Sequence, residues 1–262
     1  MFIGAGNMAS AICTGIIKSN IADPQHIILF DKNKEQYLKF NSSCKIASDL
    51  SLAISEADYI FFSVKPQNLR DLLEKIQVID INNKIFISIC AGIKISSIEK
   101  FLPNIKLVRV MPNTPLLIGN GASALCKNDK VQECEFSIVE QIFSSMGITA
   151  RVNESDMDAI TALTGSSPAY VYTFIKAMLN GANELNLNNP NTLSLICQTI
   201  IGSVLMVSKG DKSIDEHIRM VKSPNGTTEK ALNVLEASGF NDILIEAMRA
   251  CSERSKELSN LF

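Results

Sequence analysis

In the first half of the chain, short apolar runs alternate with stretches whose apolar residues recur at helical spacing. Alternation of this kind marks parallel strands joined by crossover helices. It predicts strands at Met1–Ile3, Ile27–Phe30, Tyr59–Ser63, Lys84–Ile89 and Lys106–Val110. Helices are predicted at Asn7–Ser19, Asn33–Phe40, Asp49–Ser55, Asn68–Ile76 and Ser96–Phe101. A strand at Gly121–Cys126 and a helix at Lys130–Met146 close this part. Near Arg151 the pattern changes: from Glu154 onward only helical periodicity is present, with long segments at about 168–185, 191–208 and 240–258. The expectation is an α/β, doubly wound Rossmann-type dinucleotide-binding domain at 1–151 and an all-α domain at 152–262. In the second domain, Leu193–Met206 is apolar around most of a helix circumference, so it must be covered on several sides.

Composition narrows the class. The chain has 262 residues, 46% hydrophobic and 20% charged, with a net charge of −2, an ordinary globular balance. Its basic residues are scattered, which argues against a nucleic-acid or polybasic membrane surface. No apolar run reaches membrane-spanning length and no secretory leader pattern is seen, so neither membrane nor export is expected. Seven cysteines without a C-x-x-C pair, and two histidines (His26, His217), fit neither a disulfide scaffold nor a metal site. A reducing cytoplasm is the expected setting.

The most pointed local signal is Ile3-Gly-Ala-Gly-Asn-Met-Ala, a G-x-G-x-x-A turn between a predicted strand and a predicted helix. Gly4 permits the tight turn, Gly6 lets backbone approach a pyrophosphate, and Ala9 allows helix and strand to pack closely. Phosphates would rest on unpaired N–H groups at the helix N-terminus, with Ile3, Ala5, Asn7 and Met8 also counted to the cofactor turn. Asp31 ends the second strand, where an acidic residue holds an adenosine ribose and repels a 2′-phosphate. That favours NADH over NADPH. Lys32 and Lys34 follow and could serve a phosphate instead, and the lesser alternative for Asp31 is a cap on the helix at Asn33–Phe40.

Four further segments stand in order: Ser63-Val-Lys-Pro-Gln, Arg109-Val-Met-Pro-Asn-Thr-Pro, Ala162-Leu-Thr-Gly-Ser-Ser-Pro-Ala-Tyr and Ser223-Pro-Asn-Gly-Thr-Thr. With the glycine turn they closely resemble the pyrroline-5-carboxylate reductase family over essentially the whole chain, through Arg254-Ser-Lys-Glu-Leu. Two positions depart from the family pattern. Ser167 replaces the second glycine of G-S-G-P-A-Y, and Asn225 replaces the first loop glycine of S-P-G-G-T-T. Asn tolerates a left-handed backbone, and Ser167 suits a helix start before Pro168.

The resemblance implies reduction of the C=N bond of 1-pyrroline-5-carboxylate to L-proline by NADPH or NADH, the final step of proline biosynthesis. It also implies homodimers, or larger homo-oligomers, built on the helical domain. It places Thr228 beside the substrate nitrogen and Asp211 near the substrate. Ser223, Asn225, Gly226 and Thr227 complete the substrate loop, whose helix start could hold the carboxylate or simply be capped by these residues. On the cofactor side stand Ser63, Val64, Lys65 and Pro66, then Cys90 and Ala91, then Asn113. Lys65 could contact cofactor or support structure, and Asn113 could bond a ribose or only its own loop. Cys90 reads as a packed residue, not a nucleophile.

Two rival readings have sequence features of their own. Lys176 and Asn180 share a helix face after a glycine turn, as a β-hydroxyacid dehydrogenase requires. The Ser167 and Asn225 departures fit a non-catalytic dinucleotide-binding protein.

Overall fold

The computed structural model describes residues 1–40 and 43–259. Its first half is built on eight strands: β1 Phe2–Ile3, β2 Ile28–Phe30, β3 Lys45–Ile46, β4 Tyr59–Phe62, β5 Ile85–Ser88, β6 Lys106–Met111, β7 Gly121–Lys127 and β8 Gly147–Arg151. They form one sheet in the order β3-β2-β1-β4-β5-β6-β7-β8. All neighbours are parallel except β6 and β7, so β7 and β8 run against the rest. Chain direction across the sheet reverses between β1 and β4, which opens a crevice at their carboxyl ends.

Helices α1 Asn7–Lys18, α2 Leu50–Glu56, α3 Pro66–Ile76, α4 Ile95–Glu99 and α5 Glu133–Ser144 cover the two faces. Because successive strand residues face opposite ways, the sheet feeds two cores. Ile60, Phe62 and Phe86 join Leu69, Leu73 and Ile98 on one side. Phe2, Phe61 and Ile87 join Ile12, Val139 and Phe143 on the other. Phe2 and Phe61 stack with ring centroids 4.5 Å apart.

Three details differ from the sequence expectation. The stretch expected as a helix at Asn33–Phe40 is a 3₁₀ turn over Lys34–Lys39, capped by Asn33 Oδ1 accepting from the Glu35 N–H. Strands β3 and β8 were not expected. The sheet is also not wholly parallel, because its last two strands are reversed.

Beyond β8 come α6 Met157–Ile160, a π-helical turn at Thr161–Gly165, α7 Ser167–Glu184, α8 Thr192–Lys209, α9 Ile214–Val221, α10 Thr227–Ala237 and α11 Phe240–Ser259. Residues group into two compact units: Met1–Pro168 with the segment from Met248 on, and Ala169–Ala247. Strand pattern thus ends at Arg151, whereas the division by contacts falls inside α7 and α11. In the second unit Ile196 is the only buried hydrophobic side chain among the described residues, while Leu195, Ile201, Val204, Leu205 and Met206 of α8 are exposed. By length and composition alone α8 is apolar enough to cross a membrane.

Candidate active site

The glycine turn is fixed by sterics. Gly4 has φ +95°, and a Cβ there would stand 2.7 Å from the Ser63 carbonyl. Gly6 is different: a Cβ would meet nothing within 4 Å. Folding alone does not require that glycine, and the open space over it suits an approaching ligand. Gly6 caps α1 with no side-chain bond, and α1 has no acidic residue in its first turn. Its leading N–H groups are therefore available to an anion. Ala9 is fully buried at the helix–sheet contact.

Asp31 braces this turn. One carboxylate oxygen accepts from the Ala5 N–H at 2.6 Å, the other from the Asn33 N–H at 2.8 Å. The Tyr37 hydroxyl accepts from the Asp31 N–H and donates to its carbonyl. Asn33, not Asp31, caps the turn that follows.

At the neighbouring strand end, Ser63 Oγ donates to the Ile3 and Gly4 carbonyls at 3.1 and 2.8 Å, tying β4 to the glycine turn. Lys65 is exposed and caps α3 without a side-chain bond, and Pro66 takes the first helical position. The Cys90 thiol points at the Phe62 and Val64 carbonyls, and burial pushes its pKa up to about 12. It is a packed thiol, not a nucleophile. Ala91 leads into Gly92 (φ +77°), where a Cβ would meet the Ser255 carbonyl of α11 at 2.7 Å. Ser259 Oγ donates to the Gly92 carbonyl at 2.6 Å, so the last helix braces this loop. Asn113 spends its amide internally: Oδ1 accepts from the Ala122 N–H and Nδ2 donates to the Thr164 carbonyl.

Sequence reading missed a buried ionic cluster. Arg109, only 4% exposed, lies 3.0 Å from Glu154 and 3.9 Å from Asp158. Glu154 also accepts from the Ile95 N–H, and Ser255 Oγ donates to Asp158 at 2.6 Å. Such a group must be satisfied from all sides. Arg109, the Glu154–Asp158 pair and Ser255 lie far apart in sequence, so no local motif betrays it.

Within the helical unit, Ser223–Thr228 forms the expected turn and helix start. Asn225 takes φ +56°, the left-handed conformation a glycine would adopt there. Its N–H donates to Glu229 at 2.8 Å, and Lys222 lies 3.4 Å from the same carboxylate. The Gly226 N–H donates to the Ser223 carbonyl, and a Cβ at Gly226 would overlap the Ser223 hydroxyl. Gly226 caps α10, and no side chain caps it. Neither Asn225 nor a threonine fills that role, which leaves the helix-start N–H groups and Thr227 and Thr228 to other partners. Asp211 is not gathered with them. It borders a separate hollow of about 250 Å³ with Met206, His217 and Met220. Lys176 and Asn180 lie exposed on α7.

Fold and loop together define a Rossmann-type dinucleotide-binding protein with a helical second half. Residues 1–92 match the family model described as NADP oxidoreductase, coenzyme F420-dependent, and 154–258 match pyrroline-5-carboxylate reductase dimerisation. Pyrroline-5-carboxylate reductase of Glycine max is 34% identical, covering 98% of this chain and 95% of that protein. The Haemophilus influenzae enzyme of the same name is also 34% identical, covering 100% and 97%. A Plasmodium falciparum pyrroline carboxylate reductase solved with NADP bound superposes with a TM-score of 0.92 at 34% identity, covering 98% and 97%. The chain belongs to the pyrroline-5-carboxylate reductase family. That membership leaves the β-hydroxyacid dehydrogenase reading without support.

Proposed function

We propose that this protein reduces the C=N bond of 1-pyrroline-5-carboxylate to L-proline with NADPH or NADH, the final step of proline biosynthesis, in the cytoplasm. Full-length similarity to reductases of that name carries the reading, and two uncapped helix starts, at α1 and α10, supply its chemistry. Gly4, Gly6 and the N–H groups of Asn7 and Met8 fit a dinucleotide pyrophosphate, with Ile3, Ala5, Ser63–Pro66, Cys90 and Ala91 forming the walls. Held there, the dinucleotide would supply hydride for the imine carbon. A protonated imine already carries positive charge, so its reduction needs positioning rather than a strong Lewis acid.

The substrate loop provides that positioning. N–H groups at Thr227 and Thr228 hold the substrate carboxylate against the helix N-terminus, and the Thr228 hydroxyl bonds the ring nitrogen. Ser223, Asn225 and Gly226 shape the turn. Asp211 enters the reading only through the family resemblance. Asp31 favours NADH, with Lys32 and Lys34 as the competing influence.

The exposed apolar faces of α7 and α8 are assigned to a second copy of the chain, making a homodimer or a larger homo-oligomer on the helical unit. Loss of NADPH or NADH absorbance that requires added pyrroline-5-carboxylate and yields proline tests the activity. Dinucleotide binding without turnover would instead favour the non-catalytic reading.

A further inference from the structure

Lys39 ends the 3₁₀ turn that follows Asp31. Its ammonium donates to Asn7 Oδ1 and to Gln36 Oε1, each at 2.7 Å. Its carbonyl accepts from Ser10 Oγ at 2.9 Å. Both ends of the residue are thus tied to, or beside, the first turn of α1. Amide oxygens orient a cation without neutralising it. Among the described residues Lys39 forms no ion pair, unlike Lys106 with Glu135 or Lys130 with Glu99.

The placement runs against the helix dipole. A helix start carries partial positive charge and prefers acidic neighbours, yet α1 has none in its first turn and no side-chain cap. A cation oriented there is unfavourable until an anion arrives between it and the N–H groups. An ammonium has three donors, and partners among the described residues use two, so one remains for a ligand oxygen.

We propose that Lys39, aimed by Asn7 and Gln36, pairs with a phosphate of the bound dinucleotide. This rests on the dinucleotide reading of the glycine turn. Phosphate oxygens on the cofactor come from two sources: the bridging diphosphate, present in both NAD and NADP, and the 2′-phosphate, present in NADP alone. Asp31, held on the Ala5 N–H, supplies the opposing charge at the same turn. Lys39 therefore offsets the repulsion that Asp31 exerts on phosphate. A reading based on Asp31 alone omits that attraction.

Calorimetric titration of the full-length protein with NAD⁺ and with NADP⁺, without substrate, tests the proposal. Lys39→Gln should raise Kd about tenfold at low ionic strength, narrowing in high salt as a screened charge contact must. Lys39→Arg should restore most of the affinity. Lys75→Gln, which removes an exposed charge from α3, should leave Kd unchanged. Equal weakening for both nucleotides assigns the contact to the diphosphate, and weakening for NADP⁺ alone assigns it to the 2′-phosphate. Either supports the pairing. It is overturned if Lys39→Gln binds both nucleotides like wild type, or if affinity falls equally in Lys39→Arg with an unchanged salt slope. Failure of the wild type to bind either nucleotide would instead defeat the dinucleotide reading itself.

Discussion

The two halves of this chain stand in opposite relation to water. In the α/β unit, both faces of the sheet carry fully buried side chains such as Phe62, Phe86, Phe143 and Ile54. The helical unit Ala169–Ala247 contains equally apolar helices, yet Ile196 alone is buried among its described residues. Each large side chain fully removed from water contributes about 1.5–3 kcal/mol. A unit that buries almost none cannot offset its own ordering entropy. The first half closes on itself, whereas the second needs another surface. The dimerisation match over 154–258 names the kind of surface.

The largest expected effect breaks that second half. Leu205 lies on α8, 43% exposed. Leu205→Arg should prevent association, abolish turnover, and lower Tm of the helical unit, read by sedimentation and circular dichroism. Dinucleotide affinity should change by less than about threefold, because the glycine turn belongs to the other compact unit.

The converse perturbation is Gly4→Ala. A Cβ placed 2.7 Å from backbone at φ +95° forces the turn apart. Strain of about 1–3 kcal/mol is expected, with dinucleotide binding weakened at least tenfold. Sedimentation should remain that of wild type.

A subtler test lies at α10. If Thr228 bonds the ring nitrogen, Thr228→Val removes one neutral hydrogen bond, worth about 0.5–1.5 kcal/mol. kcat/KM should then fall about threefold to tenfold with Tm unchanged, since no side chain caps this helix. Full activity in that variant would remove Thr228 from the chemistry. Asn225→Gly should be nearly silent, because Asn225 already holds the left-handed conformation.

Near neutral pH the last effect is silent, because it is a pH dependence that emerges only in alkali and belongs to the α/β unit. Burial pushes the Cys13, Cys90 and Cys126 thiols up to about 12. A raised folded pKa means that the unfolded chain ionises first, near the ordinary thiol pKa. Stability from these groups is complete below that value and is lost as pH rises toward 12. Thermal melts should show Tm declining through that range, and Cys90→Ala should flatten the decline.

The same contrast explains what could be read from sequence. The glycine turn, the Ser63 strand end and the Ser223–Thr228 turn were legible because each is local: a few residues in a row dictate the geometry. β3 was not, since two residues carry no periodicity. β8 escaped because in Gly147-Ile-Thr-Ala-Arg the alternation rests on two apolar residues only, Ile148 and Ala150, directly after a helix, and its pairing with β7 is a long-range fact. Asn33–Phe40 has helical spacing but tightened into a 3₁₀ turn, with Asn33 capping it and Lys39 tied back to α1. The cluster of Arg109, Glu154, Asp158 and Ser255, and the brace of Ser259 on Gly92, join residues that only the fold brings together. Asn113 was legible as important, and the structure commits its amide to the Ala122 N–H of β7 and the Thr164 carbonyl.

One experiment addresses the division of labour directly: sedimentation of the wild-type protein through a solution of pyrroline-5-carboxylate and NADPH, following the boundary that consumes NADPH. A self-sufficient dinucleotide unit joined to a helical unit completed by a second copy predicts that activity travels with a dimer or larger species. An active boundary moving as a single 28.7 kDa chain, or no consumption of nucleotide in runs made with NADPH and with NADH, would contradict it.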